Sequence, residues 1–130
     1  MTQEKIESSE ITIGVVGLGL MGCSITTCLL MANHKVVAVA PVPVDMLHAG
    51  DRVRHHLIKS KEEGLINIMP EHYLNNLTIT EDYSKLAPCT LVIECTLEDL
   101  EIKKQVFAKI EAVISPAALL TSNTSAIPIS

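Results

Sequence analysis

Between Val16 and Gly22 the chain reads VGLGLMG, with three glycines at G-x-G-x-x-G spacing inside a run, Ile11 to His34, that holds no Asp, Glu, Lys or Arg. Such a run is compatible with a backbone cradle for a phosphate, a tight turn in an ordinary core, or the middle of a membrane helix. The residues ahead of it, MTQEKIESSE, carry more acid than base, opposite to the start of a secretory segment, and Gly14, Gly17, Gly19 and Gly22 interrupt the run. The better division is a β-branched strand, ITIGVV (11–16), buried on both faces, followed from about Leu20 to Ala32 by a helix that begins inside the motif. In that setting Gly17 permits a tight turn off the strand. Gly19 lets the backbone approach a pyrophosphate with no Cβ in the way, and Gly22 lets the helix pack closely on a sheet. The helix N-terminus adds unpaired N–H groups and partial positive charge.

A chain of 130 residues, 48% of them hydrophobic, has room for one packed domain, and the first ten residues read as a polar tail. Its formal net charge of -5 lacks the basic stripe of a phosphate-backbone binder, so nucleic acid is not an expected partner. Cys23, Cys28, Cys89 and Cys95 form no CxxC pair and no metal-ligand spacing; they read as reduced, structural thiols of a cytoplasmic protein, and no metal site is expected. Trp is absent and the aromatics are Tyr73, Tyr83 and Phe107, which leaves aliphatic residues to build the core, as in a buried parallel sheet covered by helices.

Downstream the pattern alternates. KVVAVA (35–40) reads as a second buried strand after a short turn at Asn33 and His34. Pro41 and Pro43 force a loop, Asp45 is a plausible N-cap, and a helix follows to about Glu63 with Gly64 as its stop. Pro70 can open a short helix to about Leu74; LTIT (77–80) is a strand, and a brief helical or looped stretch at 82–86 leads into TLVIECT (90–96). Asp99 opens a helix with Leu100, Val106, Phe107, Ile110 and Val113 on one face; Ser115 and Pro116 end it, and ALLTS (118–122) is the next strand. Strands alternating with helices define an α/β fold, a doubly wound parallel sheet of Rossmann type over residues 11–130.

Sites on such a sheet lie at the carboxyl ends of its strands. Three clusters end there: the glycine turn, the acidic stretch from Glu94 to Lys103, and SNTSAIPIS (122–130). By residue type alone Glu98 and Asp99 are helix-start caps, and the serine-rich segment is equally a solvated turn.

The stretch VIECTLEDLEIKKQVFAKIEAVISPAALLTSNTSAIPIS (92–130) resembles the 3-hydroxyacyl-CoA dehydrogenase family, in which an E-A-x-x-E-[DN] segment and an N-T-S segment flank one helix. GLGLMG, with Met21 before the third glycine, resembles the same family's dinucleotide turn, and EEGLINIMPEHYLNNLTIT its link from the second long helix to the next strand. Other β-hydroxyacid dehydrogenases share the glycine turn but not the pair ECTLED and NTS. The resemblance implies NAD as cofactor and an acyl-CoA thioester as substrate. It implies that Gly17, Gly19 and Gly22, with Leu20 and Met21, hold the pyrophosphate. Glu98 matches the acid near the nicotinamide end, and Lys103 the cofactor-contacting lysine one turn into the helix. Ser125 matches the serine beside both the nicotinamide and the substrate's 3-oxygen, a hydroxyl able to orient a carbonyl for hydride transfer. Glu94 reads as a structural acid at a strand end.

Two departures qualify this expectation. The family's catalytic histidine and its glutamate follow the N-T-S segment, whereas the histidines here are His34, His48, His55, His56 and His72, none at a matching position. The expectation is therefore the cofactor-binding part of a longer enzyme, inactive alone, lacking the helical C-terminal domain and associating into homo-oligomers. The alternative is a non-catalytic nucleotide-binding or interaction module of the same descent. Secondly, Ala40 stands at the cofactor position where a dinucleotide site places Asp or Glu for the adenosine ribose, which leaves NADP open beside NAD. His56 and Glu63 likewise stand where the family's acyl-CoA-contacting serine and lysine align.

Overall fold

The computed structural model describes residues 11–96 and 100–122. Five strands, β1 (Thr12–Val16), β2 (Lys35–Val39), β3 (Leu77–Thr80), β4 (Leu91–Glu94) and β5 (Leu119–Ser122), form one sheet in the order β3-β2-β1-β4-β5. Every neighbouring pair is parallel, and Val16, Val39, Thr80, Glu94 and Ser122 stand in one row of paired residues across it. All five strands thus end at one edge, at the same level. The chain runs outward from β1 through β2 to β3 and then returns to place β4 on the other side of β1, so the strand order reverses between β1 and β4, where a crevice forms in doubly wound sheets.

The helices α1 (Leu20–Met31), α2 (Pro43–Glu62), α3 (Pro70–Leu74) and α4 (Leu100–Glu111), with a 3-10 turn at Tyr83–Leu86, cover the two faces. Alternation along the strands divides the core. Val15, Val36, Ala38 and Ala40 pack with Leu30 of α1 and with Ala49, Val53 and Leu57 of α2. Val16, Val39 and Val92 pack on the opposite face with Leu86 and with Val106 and Ile110 of α4. The uncharged run from Ile11 is accounted for as β1 plus α1, whose buried residues Gly22, Cys23, Thr26, Thr27 and Leu30 recur at helical spacing. Among the described residues no helix is long and apolar enough to cross a membrane. The turn after α1 is carried by Asn33 at φ 70°, a backbone state that asparagine tolerates better than most residues.

One boundary differs from the sequence reading. Pro43 does not hold the chain in a loop; it is the first residue of α2, Val42 is the N-cap, and Asp45 lies inside the first turn without capping it. The proline ring is pre-set for the first helical position, where the missing N–H costs nothing, and it keeps Val42 extended, at φ -106° and ψ 125°. The polar tail expected over residues 1–10 and the helix start expected at Asp99 lie outside the described residues.

The packing of α1 on β1 depends on Gly22, because a Cβ there would stand 1.7 Å from the Gly17 carbonyl oxygen. Gly50, inside α2, has only Ile79 Cδ1 near its would-be Cβ, at 3.8 Å. The same substitution should therefore act in opposite directions at the two sites. Gly22→Ala forces helix and turn apart and should destabilise by about 2 kcal/mol or more. Gly50→Ala improves helix propensity and should stabilise by about 0.5 to 1 kcal/mol. Urea unfolding followed by circular dichroism measures both.

Candidate functional site

At the level edge of the sheet the glycine turn is tied down on every side but one. The Gly17 N–H donates to the Val39 carbonyl at 2.9 Å, fixing the turn to the end of β2. Gly17 has φ 101°, a left-handed state that favours glycine, and a Cβ there would lie 2.7 Å from the Cys95 carbonyl carbon beyond β4. The Leu18 carbonyl accepts from the Cys23 thiol at 3.2 Å and from an Arg52 guanidinium nitrogen at 2.8 Å. The same nitrogen lies 2.9 Å from Asp45 Oδ1, so one arginine of α2 holds both the turn and an acid of its own helix.

Gly19 is the open side. Nothing lies within 4 Å of the position its Cβ would take, although its φ of -72° is available to any residue. It is the N-cap of α1 and supplies no side-chain hydrogen bond, and the first turn of α1 contains no acid. A helix N-terminus that lacks both a cap and an acid keeps its partial positive charge uncompensated, and the clear space in front of Gly19 admits an anion to backbone distance. Leu20 and Met21 are exposed at the mouth of the turn. The three glycines are therefore brought together with different roles. Gly17 and Gly22 close the structure, and Gly19 leaves it open.

Beside the turn, a small cavity of about 80 Å³ is lined by Gly17, Pro41, Val42, Asp45, Cys95, Thr96 and Ile102. It lies between the end of β2 and the end of β4, across the point where strand order reverses. Ala40 is not part of this lining. It is 1% exposed within the core beneath α2, and its N–H donates to the Thr80 carbonyl at 2.9 Å.

The far side of the crevice is organised by Glu94, the last residue of β4 and fully buried. Lys103 Nζ lies 2.7 Å from both of its carboxylate oxygens, the Ser122 hydroxyl donates to Oε1 at 2.7 Å, and the Thr96 N–H donates to Oε2 at 2.6 Å, joined there by the Thr96 hydroxyl. Burial works to raise the Glu94 pKa, but the donors from Lys103, Ser122 and Thr96 outweigh it and hold the carboxyl below the usual glutamate range. Lys103, expected to contact a cofactor, is itself 1% exposed and committed to Glu94. Glu98 and the Asn123-Thr124-Ser125 segment lie outside the described residues, although Ser122, bound to Glu94, fixes the chain just before that segment. The cysteines are free thiols, and burial pushes Cys89 and Cys95 up to about 11, far from thiolate chemistry at neutral pH.

The tie between Asp45 and Arg52 is absent from the sequence reading. Their separation of two helical turns in α2 is the available signal, since residues seven apart share a helix face.

An open parallel sheet with a glycine turn facing an uncapped helix N-terminus, beside a crevice at the strand-order switch, defines a dinucleotide-binding domain of Rossmann type. Residues 12–130 match the family described as 3-hydroxyacyl-CoA dehydrogenase, NAD binding domain. A 3-hydroxybutyryl-CoA dehydrogenase of Mycobacterium tuberculosis is 34% identical over 119 residues, which cover 90% of this chain and 42% of that protein. The crystal structure of a 3-hydroxybutyryl-CoA dehydrogenase from Escherichia coli superposes with a TM-score of 0.83 at 33% identity, covering 92% of this chain and 25% of that one. That of (S)-3-hydroxybutyryl-CoA dehydrogenase PaaH1 from Ralstonia eutropha gives 0.82 at 26% identity, over 91% and 42%. The chain belongs to the 3-hydroxyacyl-CoA dehydrogenase family, in its NAD-binding domain, and it spans less than half the length of these relatives. NAD is the cofactor of this family domain, and the open face at Gly19 fits a pyrophosphate.

The pair formed by Glu94 and Lys103 should be visible in the acid limb of the stability profile. A carboxyl lowered in the folded state contributes stability that is complete above its unfolded pKa, about 4.3, and is lost as pH falls through the folded value. Glu94→Gln, which leaves a buried ammonium without its counter-charge, should cost about 3 to 5 kcal/mol at pH 7 and flatten that limb. Adding Lys103→Met should recover part of the loss. Urea midpoints between pH 7 and pH 3 for both variants and the parent provide the check.

Proposed function

We propose that this domain positions NAD(H) for hydride transfer with a 3-hydroxyacyl-CoA or 3-oxoacyl-CoA thioester, of which 3-hydroxybutyryl-CoA is the short example. The observation that carries the reading is the division of labour in the glycine turn, which leaves clear space only at Gly19, with an uncompensated helix N-terminus behind it. The relatives named for 3-hydroxybutyryl-CoA support the substrate class. Bound NAD supplies the hydride acceptor for a secondary alcohol.

This chain's own residues then divide as follows. Gly19, Leu20, Met21 and Gly22 hold the pyrophosphate through backbone N–H groups, while Gly17, whose N–H is committed to Val39, shapes the turn, and Ala40 ends β2 within the core beneath α2. Glu98 is assigned to the nicotinamide end of the cofactor by its place in the ECTLED segment. Lys103 acts on the cofactor side through Glu94, keeping the carboxyl end of β4 in place. The Ser125 hydroxyl is assigned, by its place in the N-T-S segment, to donate to the substrate's 3-oxygen, and no histidine of this chain is assigned the acid/base role. The free thiols agree with a reducing compartment such as the cytoplasm, and association with a second copy belongs to the same reading.

Gly19→Asp separates cradle from turn. Aspartate is a better N-cap than glycine and complements the helix dipole, so the melting temperature should hold or rise. The same carboxylate would face the pyrophosphate, and NADH affinity should fall by at least about tenfold. Calorimetric titration of NADH into both proteins gives the answer; equal affinities would show that the phosphates do not lie at this turn.

A further inference from the structure

Strand β2 ends without an acid, and the structure shows why the position cannot serve as one: Ala40 is packed beneath α2 against the residues around Ala49 and Val53. Dinucleotide sites meet the adenosine ribose with a carboxylate at this corner. Among the described residues that line the adjoining cavity there is one carboxylate, Asp45, and it shares the lining with Gly17 of the turn. Pro43 starts α2 early enough to bring Asp45 into the first turn, at the cavity rather than at the cap. Arg52 orients it: the guanidinium nitrogen that holds Asp45 Oδ1 at 2.9 Å also holds the Leu18 carbonyl of the glycine turn at 2.8 Å. The Arg52 and Asp45 side chains are 30% and 18% exposed, so neither is fully solvated, and Asp45 is the member of the pair that lines the cavity. A carboxylate offers about four acceptor positions, and Arg52 takes one. Val42 and Ile102 supply apolar walls in the same cavity.

We propose that Asp45, carried by the first turn of α2 and aimed by Arg52, accepts the hydrogen bonds of the adenosine ribose and sets the preference of the site for NADH over NADPH. The proposal rests on the NAD-binding reading above. Arg52 is not a receptor for a 2′-phosphate, since its guanidinium already serves two oxygens and the phosphate would have to approach beside the Asp45 carboxylate.

The test is titration of NADH, NADPH and ADP-ribose, the last lacking the nicotinamide, against the parent, Asp45→Asn and Asp45→Ala, with thermal melts of each. The parent should prefer NADH to NADPH by about tenfold or more. Asp45→Asn, which keeps an oxygen for Arg52, should weaken NADH and ADP-ribose by about tenfold alike and leave NADPH unchanged or tighter, so that the ratio collapses. An unchanged ratio in both folded variants overturns the role of Asp45 while leaving the NAD site standing. A parent that binds none of the three ligands overturns the NAD-binding reading and the proposal with it. Should Asp45→Ala melt early through loss of its tie to Arg52, the asparagine variant decides alone.

Discussion

The close approach of α1 to the carbonyl of Gly17 sets the terms for the rest of the molecule. With no side chain at Gly22 the helix begins directly above the end of β1, and its N-terminus points across the edge where all five strands finish. The bond from Gly17 to Val39 then makes the turn, the end of β2 and the start of α1 one unit. A single spacing of glycines therefore serves two demands that could conflict. Two of the positions are closed by packing and would resist substitution in any protein with this geometry, ligand or none. The third is free of packing and leaves the start of α1 open in front of it.

Two polar ties flank the reversal in strand order, and they differ physically. On the β2 side Arg52 reaches over a partly exposed surface to a carbonyl and an acid, an interaction weakened by salt and solvent. On the β5 side Glu94 gathers a lysine of α4, a serine of β5 and a threonine beyond β4 in a buried cluster. The second tie joins three elements with the full strength and the full desolvation cost of a buried ion pair, and its loss on one side leaves an uncompensated charge. The crevice thus has a firm wall and a more adjustable one.

The parts of the fold legible in the sequence are those with a local cause. The change from β-branched residues to helical spacing at Gly17–Gly22 marks β1 and α1, and apolar runs bounded by Gly, Pro and Asn mark the other strands to within a residue or two. Pro43 misleads because the same ring breaks a helix from inside and starts one at its first position; Val42, held extended before the proline, decides for the start. Lys103 is legible as a residue of the buried face of α4, three before Val106 and seven before Ile110, but its partner is not legible, because Glu94 lies nine positions away, across a strand end and a loop. The depth of Ala40 is equally hidden, since α2 covers it from another part of the chain.

A ribose-facing acid carried on α2 instead of β2, as proposed for Asp45, changes what the strand end is able to do. An acid on the strand must remain reachable from the crevice, which limits how far a helix can advance over it. With Ala40 there, Ala49 and Val53 close down on the sheet and extend the core one residue past Val39. The acid then moves with the helix rather than with the sheet, and Arg52 links it to Leu18, inside the glycine turn. Asp45 and the glycine turn consequently share one guanidinium. A displacement of α2 that weakened one contact would loosen the other, so the ribose and pyrophosphate contacts proposed for these two places would be coupled through a side chain that needs to touch neither phosphate nor sugar.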